Sequence, residues 1–130
     1  MVTFSYQNMT TQVIADRLVA MNREGLHMEI YEALYSPEVV SVERTGEGQE
    51  DIGFEAIKKK GDFWFSTIAQ THAMSVGEPV VADNSFAVTF SMDVTFKEGA
   101  MPGMEGRQQF TELAVYIVRD GKIVREEFWS

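Results

Sequence analysis

Residues 112–130 constrain the fold of this 130-residue chain more than any other stretch. Two apolar runs flank Asp120-Gly121, a dipeptide that strongly favours a two-residue hairpin turn because both positions tolerate positive φ. The run over 113–118 (Leu113, Ala114, Val115, Tyr116, Ile117, Val118) is apolar on both faces, so neither face is left for water. It nevertheless opens with Glu112, a carboxylate entering a buried sheet. A closed, curved sheet around a partly polar cavity accommodates both facts.

The rest of the chain supplies what such a sheet needs. With 45% apolar residues, 1–130 reads as one domain with a single sizeable core. The net charge of −9, from 20 acidic against 11 basic residues, argues against nucleic acid or an anionic membrane as partner. The absence of cysteine excludes disulfides, thiolate nucleophiles and thiolate metal sites. No apolar run approaches the roughly 20 residues that span a bilayer. The first residues form no basic-plus-apolar signal segment, so a cytoplasmic location is the default expectation.

Thr10 or Thr11 is expected to cap a first helix, with Val13, Ile14, Leu18 and Met21 on its buried face and Gly25 as its stop. A short second helix carries Ile30, Tyr31, Leu34 and Tyr35 and ends at Ser36-Pro37. The alternation over 39–44 predicts a strand with Val39, Ser41 and Glu43 on one face. Residues 45–51 form a polar, glycine-rich loop. Gly53 opens a third helix with a stripe of Ile57, Gly61, Trp64 and Ile68, widened by Phe63 and Phe65. Gly61 costs about 1 kcal/mol against alanine there, which suggests a close approach or a bend.

From residue 71 the period switches to two. His72, Met74 and Val76 share one face, and Pro79 marks an edge or bulge. Phe86, Val88, Phe90, Met92, Val94 and Phe96 share one face of the cleanest alternation, with Asp93 on the polar side. A long loop with Met101 and Met104 precedes the closing hairpin; it reads as a lid over the cavity or, more simply, as a hairpin end. Helices followed by an antiparallel meander predict an α+β fold rather than a doubly wound sheet.

This order resembles the SnoaL-like, ketosteroid-isomerase-like superfamily, also called the nuclear transport factor two fold. The segments that carry it are Asn22-Arg23-Glu24-Gly25, Leu34-Tyr35-Ser36-Pro37-Glu38-Val39-Val40, Gly53-Phe54-Glu55-Ala56-Ile57 and Val118-Arg119-Asp120-Gly121-Lys122-Ile123-Val124. The resemblance spans nearly the whole chain. It implies a cone of curved antiparallel sheet wrapped around three helices (a cystatin-like α+β barrel), with an internal pocket at the open end. It also implies a homodimer through the outer sheet face, to which Leu113, Val115 and Ile117 are assigned. Such a fold is shared by isomerases, cyclases, dehydratases and non-catalytic binders, so it assigns no reaction by itself.

Glu43 falls where, by the resemblance, ketosteroid isomerases place a catalytic carboxylate base. A carboxylate in an apolar pocket has a raised pKa and can shuttle a proton beside a carbonyl. The plainer reading is a solvated strand-end glutamate paired with Arg44 or Arg107. The rest of the isomerase pattern is missing. The expected helix tyrosine falls near Arg17 and the expected buried aspartic acid near Ala114, so the oxyanion hole of that reaction is absent. Glu112, on the Ala114 and Tyr116 face, is a displaced carboxyl that could replace it. His72 is expected to face inward as an acid–base partner, or else to be a satisfied core histidine.

The candidate catalytic set is therefore Glu43, His72 and Glu112. The candidate ligand-binding set is Trp64, Tyr116, Glu126 and Phe128. A metal site is not expected from two histidines, His27 and His72, without ligand spacing, and no cofactor is expected. The expectation is a small-molecule-binding domain, either an acid–base enzyme on an apolar carbonyl compound or a non-catalytic binding or dimerisation module.

Overall fold

The structure, a computed structural model, describes residues 2–44 and 48–130, with side chains from Thr11 onward. Of the expected 45–51 loop, residues 45–47 lie outside that range, as does the side chain of Thr10.

Helix α1 (Val2–Arg23) starts well before the expected caps. Thr11 sits within it, fully buried, and its hydroxyl donates to the Asp83 carbonyl at 2.8 Å. A tertiary contact thus takes the oxygen that a cap would use. Ile14, Ala15, Leu18 and Val19 form the buried face, whereas Val13 is 50% exposed, contrary to expectation. The helix ends as expected at Gly25, whose φ is +79°. Gly25 N–H donates to Asn22 O and Leu26 N–H to Met21 O, the two bonds of a Schellman stop.

Helix α2 (Glu29–Leu34) buries Ile30 and Leu34. Tyr35 opens strand β1 (Tyr35–Glu43) rather than closing the helix, so the strand begins four residues before Val39. Pro37 is tolerated within β1 because the ladder is irregular between Tyr35 and Val40 and β2 (Glu50–Ile52) covers only 40–42. Gly53, at φ +89°, ties its N–H to Val39 O at 2.8 Å and opens α3 (Phe54–Ser66). A Cβ on Gly61 would lie 3.1 Å from the Tyr31 hydroxyl, so the close approach is to a side chain. Ile57 of the expected stripe is buried, but Ile68 belongs to the next strand and Phe63 and Phe65 are exposed.

Five strands follow: β3 (Ile68–Val76), β4 (Val80–Val81), β5 (Ser85–Phe96), β6 (Gly106–Arg119) and β7 (Lys122–Trp129). They complete a large, open, curved sheet of order β2-β1-β7-β6-β5-β3, with β4 on β5. The fold is α+β as expected. The meander is antiparallel throughout, but β1 joins β7 in parallel, so the sheet is mixed. The hairpin turns on Asp120 and Gly121, both at positive φ. Phe86, Val88, Val94 and Phe96 of β5 and Ala114, Tyr116 and Val118 of β6 are buried on the inner face, with α1, α2 and α3 contributing the rest of the core.

Candidate functional site

The strand registers stack polar and aromatic side chains in rows across the inner face. Asp51, Ser41, Glu126, Tyr116 and Phe86 stand opposite one another on β2, β1, β7, β6 and β5. The next row is Glu43, Phe128, Ala114 and Val88. Pairing of β6 with β7 ends at Leu113 and Trp129, so Glu112, opposite Phe90, lies just beyond the end of β7. A bulge between Ile117 and Val118 makes this possible. It lets β7 bury Ile123 and, three residues on, Glu126.

Glu126 is the most buried charge-bearing group of the site, 3% exposed. Its Oε1 accepts a hydrogen bond from the Tyr35 hydroxyl, and its Oε2 accepts one from Ser41 Oγ at 2.6 Å. Burial pushes its carboxyl above the usual range, and the two hydroxyls and Lys60 pull the other way. The Tyr35 and Tyr116 hydroxyls are both driven well upward by burial and by the Glu126 charge. Tyr116 stacks on Phe86 at 4.8 Å, and Tyr31 meets Tyr35 edge-on at 5.1 Å.

Lys60 completes the cluster. Its Nζ donates to Ser41 Oγ at 2.9 Å, pairs with Glu43 Oε1 at 3.0 Å and lies 5.1 Å from the centre of the Phe128 ring. The partners proposed for Glu43 are used elsewhere: Arg44 pairs with Glu127 and Arg107 with Asp93. Lys60 sits three residues after Ile57 and four before Trp64, so it shares their face of α3. That spacing was the available signal, hidden by its place in the run Lys58-Lys59-Lys60. Ser41 and Tyr35 were also missed as functional groups. Trp64 packs edge-on against Phe96 at 5.7 Å and Phe110 at 5.9 Å, which places it over the inner face of β5 and β6.

Glu112 is partly buried, and its carboxyl is pushed up to about 7. Burial is the main cause; the charge of Glu43, and more weakly that of Glu126, adds to it, and Lys60 opposes it. These four groups therefore act on one another electrostatically. A carboxyl of that pKa holds and releases a proton near neutrality.

His72 does not join them. The β3 ladder shifts register between Thr71 and Ala73, and this bulge turns the intervening His72 out of the Met74 and Val76 face. Its Nε2 lies 2.6 Å from Thr95 Oγ1, on the outer face beside the Asp93–Arg107 pair. The expected inward orientation is corrected accordingly, and the expected catalytic set of Glu43, His72 and Glu112 is not brought together.

The pattern of the SnoaL-like domain matches residues 9–130. The chain belongs to the SnoaL-like domain family. No curated protein matches it. Among solved structures, this SnoaL-like domain is similar to a proposed SnoaL-like polyketide cyclase from Mesorhizobium loti, with 27% identity, 92% of this chain and 97% of that one covered, and a TM-score of 0.78. A proposed SnoaL-like polyketide cyclase from Jannaschia shares 12% identity over 94% of this chain and 85% of its own, at a TM-score of 0.74. TerC, co-crystallised with polyporic acid, shares 16% identity over 95% and 90%, at 0.64. The last two likenesses establish shared fold. Among the described residues of the SnoaL-like domain, no helix is long and apolar enough to cross a membrane.

Proposed function

We propose that this SnoaL-like domain binds an apolar, carbonyl-bearing small molecule between α3 and the inner sheet face and acts on it by acid–base chemistry without a cofactor, in the isomerase, cyclase or dehydratase class. The observation that carries the reading is Glu112, partly buried, with its carboxyl near 7. In its ionised form Glu112 takes a proton from the carbon next to the carbonyl. The C–H electron pair moves into the new C=C bond and the carbonyl oxygen becomes an enolate. Returning the proton to another carbon isomerises the compound; attack of the enolate carbon on a second carbonyl cyclises it; loss of a β-hydroxyl as water dehydrates it. Glu43 supports the base by holding the Glu112 carboxyl up. Trp64 and Phe128 serve as walls for the ligand, and Tyr116 with Glu126 as its polar floor.

The Mesorhizobium loti and TerC likenesses support a small-molecule ligand. Native mass spectrometry of the purified protein tests the reading by identifying a retained compound. Exchange of that compound's α-hydrogens in D2O, present in wild type and lost in Glu112→Gln, is the expected result. The alternative is a non-catalytic binding module, favoured by the buried Glu126, whose two oxygens are each already bonded to a hydroxyl. Retention with no exchange in wild type selects it.

We further propose a homodimer through the outer sheet face. Leu113 and Trp129, cross-strand neighbours, are 40% and 47% exposed, and Val115 and Ile117 continue the apolar row along β6. Such a row on an open sheet is what a second copy covers.

A further inference from the structure

We infer that Lys60 is the group that holds the oxyanion formed in the site, so that the substrate is a compound whose carbonyl oxygen becomes an enolate or phenolate. The inference rests on the proton-transfer reading of Glu112 given above, and it supplies the electrostatic partner that reading lacks. An enolate formed in an apolar enclosure needs a fixed positive group or hydrogen-bond donors at its oxygen. By the resemblance, the tyrosine and aspartic acid expected for that task fall near Arg17 and Ala114. The Tyr35 hydroxyl is spent on Glu126, and Tyr116 is buried beneath the inner face at 2% exposure.

Lys60 meets the requirement in three ways. First, it is held in place. The single proton of the Ser41 hydroxyl goes to Glu126, so Ser41 Oγ can only accept from Lys60, and the Glu43 carboxylate holds the ammonium as an ion partner at 3.0 Å. Second, an ammonium has three N–H groups. Among the described residues only Ser41 Oγ accepts a hydrogen bond from it and Glu43 stands beside it as an ion partner, so N–H groups remain to bind a ligand oxygen. Third, its charge acts on Glu112, so base and cation lie within electrostatic reach of each other. In the resulting step the α-proton passes to a Glu112 oxygen, the C–H pair becomes the C=C bond, and the carbonyl π pair comes to rest on the oxygen that a free N–H of Lys60 binds. Ser41 is a positioning residue: it acts through Lys60, and Glu126 orients its hydroxyl.

2-Naphthol tests this without knowledge of the natural substrate, because its ionised form mimics a planar enolate and absorbs at longer wavelength than the neutral form. At pH 7 the wild-type protein is expected to bind it as naphtholate, its proton taken up by Glu112. Lys60→Met keeps a long unbranched side chain but removes the charge. It is expected to bind on the order of ten- to a hundredfold more weakly and only as neutral naphthol, the loss of a hydrogen bond to a charged group. Lys60→Arg is expected to restore the naphtholate band. A folded Lys60→Met protein, judged by circular dichroism, that keeps the band overturns the assignment. Wild type that binds 2-naphthol only in neutral form overturns it too, while leaving the ligand site standing. Wild type that does not bind 2-naphthol at all overturns the site and the assignment together.

Discussion

Ser41 and Glu126 stand directly opposite each other across the parallel β1–β7 pair, with Ser41 Oγ donating to Glu126 Oε2 at 2.6 Å. The bond spans 85 residues of sequence and couples the first strand to the last. It also decides which way the serine oxygen faces Lys60. A buried carboxylate is tolerable only while its oxygens are accepted partners of donors, since each unmet oxygen costs the desolvation it suffered.

Ser41→Ala is therefore expected to destabilise the protein by about 1–3 kcal/mol, and Tyr35→Phe by a similar amount. In a Glu126→Gln background, where no charge is stranded, each loss should shrink. Urea unfolding of the single and double variants gives the coupling directly. Strict additivity would show that the hydroxyls pack independently of Glu126.

Glu112 predicts a pH dependence of known sign. Its folded carboxyl titrates near 7 against an ordinary 4.5, mainly through burial, with Glu43 and Glu126 adding and Lys60 opposing. Between those pH values the folded chain keeps a proton that the unfolded chain has released. The contribution of Glu112 to stability is thus greatest below about 4.5 and falls as pH rises towards 7. Glu112→Gln removes that fall. Relative to wild type it should gain on the order of 1–2 kcal/mol between pH 5 and pH 8, the shift being discounted for solvent screening. Urea midpoints at the two pH values measure it; an equal difference at both would place the Glu112 carboxyl at its ordinary pKa.

Much of this architecture is written in side-chain period. Alternation over 86–96 and 112–118 assigned the inner face, because in a strand period two leaves no freedom once one face is buried. Three features escaped for physical reasons. Period does not distinguish parallel from antiparallel pairing, so the β1–β7 junction was invisible. The β3 bulge inserts one residue with no glycine or proline to mark it, and so reversed His72. Lys60 reads as a solvated charge within a basic run until the Ile57 and Trp64 face is known to meet the sheet. Glu126 was among the expected ligand-binding residues, but the hydroxyls that hold it come from residues with no polar pattern of their own.

The hairpin makes a local prediction. Gly121 has φ +75° beside Asp120 at +53°. Gly121→Ala forces a Cβ into the left-handed region and should cost roughly 1–2 kcal/mol, with Gly121→Val costing more. Thermal unfolding of both variants checks the order; an alanine variant as stable as wild type would show that the turn relaxes to another type.

His72 is expected to be silent at the inner face. Its ring engages Thr95 on the opposite side of the sheet. His72→Ala should change the affinity for 2-naphthol by less than about twofold and stability by about 0.5–1.5 kcal/mol, the worth of one exchanged hydrogen bond. A large fall in 2-naphthol affinity with the fold intact would return His72 to the site.

The outer face offers the last prediction. Leu113 is exposed in the single chain, so Leu113→Glu disturbs little of the monomer's own core. Opposed across a two-fold axis, however, each new carboxylate would meet an apolar row formed by Leu113, Val115, Ile117 and Trp129 and would have to leave water to do so. Wild type should sediment as a dimer at micromolar concentration and show an unfolding midpoint that rises with protein concentration, because association stabilises only the folded chain. Leu113→Glu should sediment as a monomer with a concentration-independent midpoint, while still binding 2-naphthol on the inner face. A monomeric wild type would remove the dimer and leave the apolar row as bare surface.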